Sequence, residues 1–320
     1  MDPRIFSKSI AKSCFGSQGA GKDLWIAAGL GTNQDSAIGL LKMDETGTVQ
    51  ISKSIRAPIK FVWYRLNIDV DGNLYLSGNS TATTGLANTV LKLNPQGQEI
   101  HAYQYSDSFI WGLSVTAKNG GLLNITGRTI YKLDPNGNVE WIKRYQGYYQ
   151  SSIPPISLAD GYLIFGKYIG AIDRTLVFKI DLQGNLVWSS DVYLNINATA
   201  AVLGEDGHLR LLYTNFGPNT IQWAILELNA NGQYVSTHLL PKNTGDFLYS
   251  RDIDILPGNE LLISGLIDFT FASYQAQVFR KLPLDLNNLQ NCPATLSSIP
   301  TETNNLIADP NVPSFGPDRY

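Results

Sequence analysis

Apolar and polar residues alternate along this chain in short runs, each run closed by a turn signal. Leu176-Val177-Phe178-Lys179-Ile180-Asp181-Leu182-Gln183-Gly184-Asn185-Leu186-Val187-Trp188 shows the pattern best. The flanks are β-branched, aromatic or aliphatic, as strands prefer. Asp181 opens a turn by bonding its own backbone, and Gly184 closes it by accepting positive φ. The stretch predicts strand, tight turn, strand.

The same frame recurs. It appears at Leu41-Lys42-Met43-Asp44 with Gly47, Leu91-Lys92-Leu93-Asn94 with Gly97, Tyr131-Lys132-Leu133-Asp134 with Gly137, and Leu226-Glu227-Leu228-Asn229 with Gly232. A degenerate sixth copy is Phe279-Arg280-Lys281-Leu282-Pro283-Leu284-Asp285. A second short apolar run precedes each anchor, as at Leu74-Tyr75-Leu76-Ser77-Gly78 or Leu261-Leu262-Ile263-Ser264-Gly265. Most of these are entered by a hairpin pair such as Asp71-Gly72, Asp160-Gly161, Asp206-Gly207 or Pro257-Gly258. Each period therefore holds four antiparallel strands in roughly 40–50 residues, the signature of a β-propeller blade. Counting predicts an all-β, six-bladed β-propeller over residues 1–290, with a Pro-rich extended tail or linker over 291–320.

Ser7-Lys8-Ser9-Ile10 recurs at Ser52-Lys53-Ser54-Ile55, where it follows the Gly47 turn as an outer strand. Residues 4–10 are thus expected to be the fourth strand of the last blade and to close the ring. Closure removes free sheet edges, which invite aggregation.

Composition changes this picture little. Charged residues are 16 %, below the roughly 25 % of ordinary domains, and Asn, Ser, Thr, Gln and Gly fill the gap. A net charge of −3 gives no basic footprint for nucleic acid. No run is long and apolar enough for a membrane helix, and no secretory leader is visible at Met1-Asp2-Pro3-Arg4.

Candidate chemistry is sparse. Gly16-Ser17-Gln18-Gly19-Ala20-Gly21-Lys22 has phosphate-loop spacing, but Asp23 stands where Ser or Thr would hold magnesium, and a strand follows instead of a helix. A glycine-rich turn is the expectation. Asp69-Val70-Asp71-Gly72-Asn73 resembles the start of a calcium loop but runs straight into a strand, so a hairpin turn is expected. His101, His208 and His238 are scattered among strand positions at different phases, and none has a Cys, His or Glu at metal spacing. No metal or cofactor is predicted, although a cation on the ring axis is left open. Cys14 and Cys292 lie in regions that ring closure would bring near each other, so a disulfide is conceivable, with buried free thiols the alternative.

The connections entering the inner strands carry aromatic and charged residues: Trp63, Tyr64 and Arg65; Trp111; Tyr148 and Tyr149; Tyr249, Arg251 and Asp252. Such residue types are enriched at binding hot spots, and these nine are the candidate binding residues on one loop face. Rings filling the wedges between blades are the competing reading. Arg65, Arg251 and Asp252 fit a core least well.

The phrase Asp160-Gly161-Tyr162-Leu163-Ile164-Phe165-Gly166 and the Leu176–Trp188 stretch, with Lys132-Leu133-Asp134-Pro135-Asn136-Gly137-Asn138-Val139-Glu140-Trp141, resemble the repeats of bacterial beta-propeller repeat proteins. That resemblance covers about residues 4–290. It implies a secreted, cell-surface or modular protein. The pattern is also similar to quinone-dependent dehydrogenase propellers, which have more blades and a cofactor ring not found here. Glu227 departs from the usual Lys. The leading expectation is a non-catalytic binding or structural module that presents a loop face to protein or glycan, with the tail as a docking segment. A hydrolase or lyase using an axial cation, with Asn67, Asn197 and Asp252 as candidates, and a lectin are the alternatives.

Overall fold

A computed structural model describes residues 14–18, 23–30, 37–56, 61–82, 85–105, 112–118, 120–145, 148–150, 152–168, 175–192, 198–217, 220–240, 246–256, 258–269, 275–284, 286, 301–303 and 318–319. They fold as antiparallel sheets, each a meander of consecutive strands, and the fold class is a six-bladed β-propeller. The chain forms two compact units, Met1–Arg144 with Ser157–Ala159 and Asp309–Tyr320, and Tyr145–Ile156 with Asp160–Ala308.

The first unit holds three sheets. Sheet one is Cys14–Gln18, Leu24–Leu30, Ala37–Met43 and Val49–Arg56. Sheet two is Phe61–Ile68, Leu74–Ala82, Gly85–Leu93 and Glu99–Tyr105, with Asp318–Arg319 paired on its outer edge. Sheet three is Gly112–Thr116, Leu122–Thr126, Thr129–Leu133 and Val139–Arg144. The second unit begins with Tyr148–Gln150, Gly161–Tyr168, Thr175–Asp181 and Leu186–Val192, and Thr301–Thr303 pairs with the last of these. Sheet five is Ala198–Leu203, Leu209–Gly217, Thr220–Leu228 and Tyr234–Leu239. Sheet six shows Asp246–Leu256, Glu260–Phe269 and Gln275–Pro283 among the described residues. The expected closing strand, residues 4–10, lies outside the described residues, as does Cys292. Two pieces of the Pro-rich tail pair with the chain's own sheets, so at those points the tail covers sheet edges and is not a free linker.

The repeat frame works as its chemistry predicts. Asp181 Oδ1 accepts the backbone N–H of Gln183 at 2.9 Å and of Asn185 at 2.7 Å, and Gly184 N–H donates to the Asp181 carbonyl. Asp44, Asn94, Asp134 and Asn229 repeat these bonds. The outer strand then skips one residue against its neighbour, at Gln50, Ile100, Glu140, Val187 and Val235. A bulge turns that residue outward, which accounts for the exposure of Ile100, Val187 and Val235.

Four of these turns are also gripped by a side chain from the preceding stretch of chain. Lys53 Nζ donates to the Gln96 carbonyl, Tyr103 Oη to that of Asn136, Tyr145 Oη to that of Gly184 at 2.6 Å, and Ser190 Oγ to that of Gly232 at 2.7 Å. Burial pushes the Tyr145 phenol well above its ordinary pKa, so it stays a neutral donor. Gly232 sits at φ +75°, and a Cβ there would strike the Trp188 ring. Glycine is needed at this turn for its backbone and for its lack of bulk.

Between sheets one and two, and between sheets five and six, the core is an apolar wedge. Trp25, Ile38 and Leu40 of sheet one pack on Leu66, Leu74, Leu76 and Leu91 of sheet two. Leu212, Trp223 and Ile225 of sheet five pack on Ile253, Leu261 and Ile263 of sheet six.

Candidate functional site

At one equivalent register position, each sheet places a charged residue on its third strand. In five sheets it is a lysine. Lys42 pairs with Asp23 at 2.7 Å, Lys179 with Asp160 at 2.7 Å and Lys281 with Glu260 at 2.5 Å. Lys92 Nζ donates to the Pro135 carbonyl, and Lys132 to those of Gly120 and Leu133. Strand register puts Trp25 and Tyr75 beside Lys42 and Lys92, whose ammonium groups lie 5.7 and 5.2 Å from the ring centroids. These are structural uses of the charge.

Sheet five inverts the pattern. Glu227 replaces the lysine and Arg210 faces it across the second strand, at 2.8 Å from Arg210 Nη2 to Glu227 Oε1. Both are buried, at 3 % and 7 % exposure. Arg210 also grips Asp206, with Nη2 to Oδ2 at 2.7 Å and Nη1 to Oδ1 at 3.2 Å. Ser236 Oγ donates to Glu227 Oε2 at 2.8 Å and lies 2.8 Å from His238 Nε2. His208 Nδ1 is 3.6 Å and His238 Nε2 3.7 Å from the same carboxylate. Arg210, Ser236, His208 and His238, from two neighbouring strands and the turn before one of them, thus converge on one carboxylate.

Gly204 makes the room. In sheet two the corresponding turn opens with Asp69, whose carboxylate accepts the N–H groups of Asp71 and Asn73. In sheet five Gly204 takes that place and Gly207 N–H donates to its carbonyl. A Cβ on Gly204 would strike Asp206 Oδ1 and come within 2.6 Å of Arg210 Nη1. The missing side chain leaves space for the Arg210–Asp206 pair.

The electrostatics follow. Burial alone would raise the Glu227 pKa. The hydrogen bonds from His238 and Ser236 and the charge on Arg210 outweigh it and hold the carboxyl at about 2. Arg210 likewise holds Asp206 below the usual carboxylate range. Both acids are therefore ionised at neutral pH, and neither can act as a proton-donating carboxylic acid there. Arg210 Nε is sealed from solvent and finds no acceptor.

Beside this cluster is a cavity of about 430 Å³. Asp206, His208, Arg210 and Glu227 form its polar wall, with Asn259 opposite. Val235, Pro283, Leu284 and Leu286 form the apolar one. It lies at the end of the sheets that carries the first-to-second-strand turns. Asn259, in such a turn, holds φ 58°, a left-handed conformation that Asn tolerates better than most residues.

The expected loop face is placed differently from its description in the sequence. Trp63, Tyr64 and Arg65 lie on the innermost strand of sheet two, not in the loop before it. Tyr249, Arg251 and Asp252 lie likewise on the innermost strand of sheet six, and Tyr149 on that of sheet four. Three innermost strands carry an extra residue against their neighbour: Tyr64, Thr199 and Arg251. Arg251 and Asp252 are exposed. Tyr148 is fully buried, its ring edge-on to Phe178 at 5.3 Å, so it is a core side chain and not a rim one. Trp111 lies outside the described residues, and so does Asn197. Asn67 spends its amide on Ser114 Oγ at 2.8 Å.

The two suspect motifs resolve as turns and strands. Gly16–Gln18 is strand and Leu24–Leu30 pairs with it, so no helix follows the glycines. Asp69 is bonded within its own hairpin. Among the described residues no group of three or more His, Cys, Asp or Glu side chains is placed to hold a metal ion. The convergence of His208 and His238 on Glu227 corrects their reading as scattered. The signal was the Glu at a lysine position, with Arg210 one strand away.

No protein-family model and no curated protein matches the chain. Solved structures do match in fold. A protein of unknown function from Dyadobacter fermentans is 14 % identical over 86 % of this chain and 95 % of its own, with a TM-score of 0.52. A WD40 domain from Neurospora crassa is 10 % identical over 86 % and 90 %, with a TM-score of 0.49. The periplasmic gluconolactonase of Pseudomonas aeruginosa is 12 % identical over 84 % and 88 %, with a TM-score of 0.46. Such identities speak to fold alone.

Proposed function

We propose that this chain is a non-catalytic binding or structural module of the bacterial beta-propeller repeat kind, presenting its inner-strand and loop face to a protein or glycan in a secreted, surface-exposed or multiprotein assembly. The observation that carries the reading is the bulge at Arg251. It interrupts the innermost strand of sheet six and leaves Arg251 and Asp252 exposed side by side. Bulges re-aim side chains at functional edges, and an outward Arg beside an Asp gives a polar surface that discriminates partners by charge. The tail extends the reading as a segment that dock partners could share.

The test is a charge swap, Arg251→Glu with Asp252→Lys. Native affinity purification from the source cells, with a glycan array alongside, is expected to give one stoichiometric partner or one glycan class with the natural chain. The swap should abolish that binding and leave the melting temperature unchanged. Recovery of the lone chain and a blank array would refute the proposal.

A further inference from the structure

We propose that the cavity beside Arg210 and Glu227 is a binding site for a primary alkylammonium group, as carried by a small amine or a lysine side chain. This goes beyond the loop-face reading and does not depend on it, since the cavity lies at the turns of sheets five and six.

Asp206 and Glu227 face one guanidinium, Arg210, so the carboxylates of the site outnumber its guanidinium. The five lysine-bearing sheets place a cation at this position; sheet five places a carboxylate there. Glu227 has its oxygens taken by Arg210 and Ser236, with an imidazole beside each. Asp206 does not. It accepts two bonds from Arg210 and one from the His208 N–H, which uses three of about four lone-pair positions on a carboxylate. It is 39 % exposed, and His208 is 35 % exposed. A free acceptor therefore faces the opening.

The remaining wall selects the rest of the ligand. Val235, Leu284 and Leu286 offer an apolar surface next to that acceptor. A hydrocarbon chain gains by leaving water there, while its ammonium donates to Asp206. An anion would meet the carboxylates, and a neutral alcohol would forgo the charge. Val235 is the bulged residue of its strand, so its outward position at the mouth is set by the repeat frame itself.

The probe is n-butylammonium, with n-butanol as its neutral counterpart, followed by saturation-transfer NMR and titration calorimetry at pH 7.5 and low salt. Saturable binding at roughly millimolar concentration is expected for so small a ligand. Asp206→Asn should weaken it roughly tenfold or more, the scale of one lost charged contact. Val235→Arg, an exposed position that disturbs no core contact, should abolish it while the fold is kept. A blocked lysine peptide that binds as tightly assigns the site to a protein-borne lysine; one that fails while butylammonium binds assigns it to a free amine. No saturable butylammonium binding, equal binding of butanol, or full binding to Val235→Arg overturns the proposal. Failure here would leave the Arg251 charge swap unaffected, and the converse also holds.

Discussion

Replacing Glu227 by Gln tests whether the inverted charge of sheet five is an electrostatic asset or a filler. The carboxyl lies at about 2 against an ordinary 4.5, and at about 1.4 kcal/mol per pKa unit this difference corresponds to about 3 kcal/mol of folding stability. A second route gives a similar figure, since removing one partner of a buried ion pair costs roughly 3–5 kcal/mol. Arg210 keeps Asp206 in the variant, which places the expected loss at the lower end, about 3 kcal/mol. The sign fixes the pH window. The folded pKa is depressed, so the stabilisation is fully present above pH 4.5 and is lost as pH falls through 2. Urea melts of the natural chain and Glu227→Gln at pH 7.5, 4, 3 and 2.5 should show a gap that is widest at neutral pH and falls to about a quarter of that at the lowest. A gap below about 1 kcal/mol at pH 7.5 would refute the account, because it would leave the depressed pKa without consequence. A gap that stays constant with pH would refute it too, because loss of packing does not titrate.

Gly232→Ala forces a Cβ against the Trp188 ring at positive φ, and a loss of roughly 2–4 kcal/mol is expected in thermal or urea melts. Asp181→Ala removes the acceptor for two backbone N–H groups of an exposed turn, costing about 1–2 kcal/mol in urea melts, with Asp181→Asn recovering most of it. Tyr145→Phe strips the buried Gly184 carbonyl of its donor and should cost about 1–2 kcal/mol, read by the same melts. Gly204→Ala should disturb the Arg210–Asp206 pair and weaken butylammonium binding with a smaller effect on stability than Glu227→Gln, a comparison calorimetry and melting make together.

The sequence by itself determined the repeat. Asp or Asn, two residues, then Gly is local turn chemistry, and alternation of apolar and polar residues is local strand chemistry, so both are visible without coordinates. That is why the anchors at Asp44, Asn94, Asp134, Asp181 and Asn229, and the six sheets, were legible. The hairpin turn at Asp69-Val70-Asp71-Gly72-Asn73 and the strand Leu24–Leu30 were legible for the same reason. What only the tertiary structure decided is which side chains meet across strands and sheets. Arg210, Glu227 and Ser236 are far apart in the chain, and strand register alone makes them neighbours. His208 and His238 join them for the same reason, against the expectation that they were scattered. Tyr148 read as a rim residue because its composition fits either place; packing against Phe178 sends it inside. Burial and register are properties of the assembled sheets, and a single sequence encodes them only through partners it does not name.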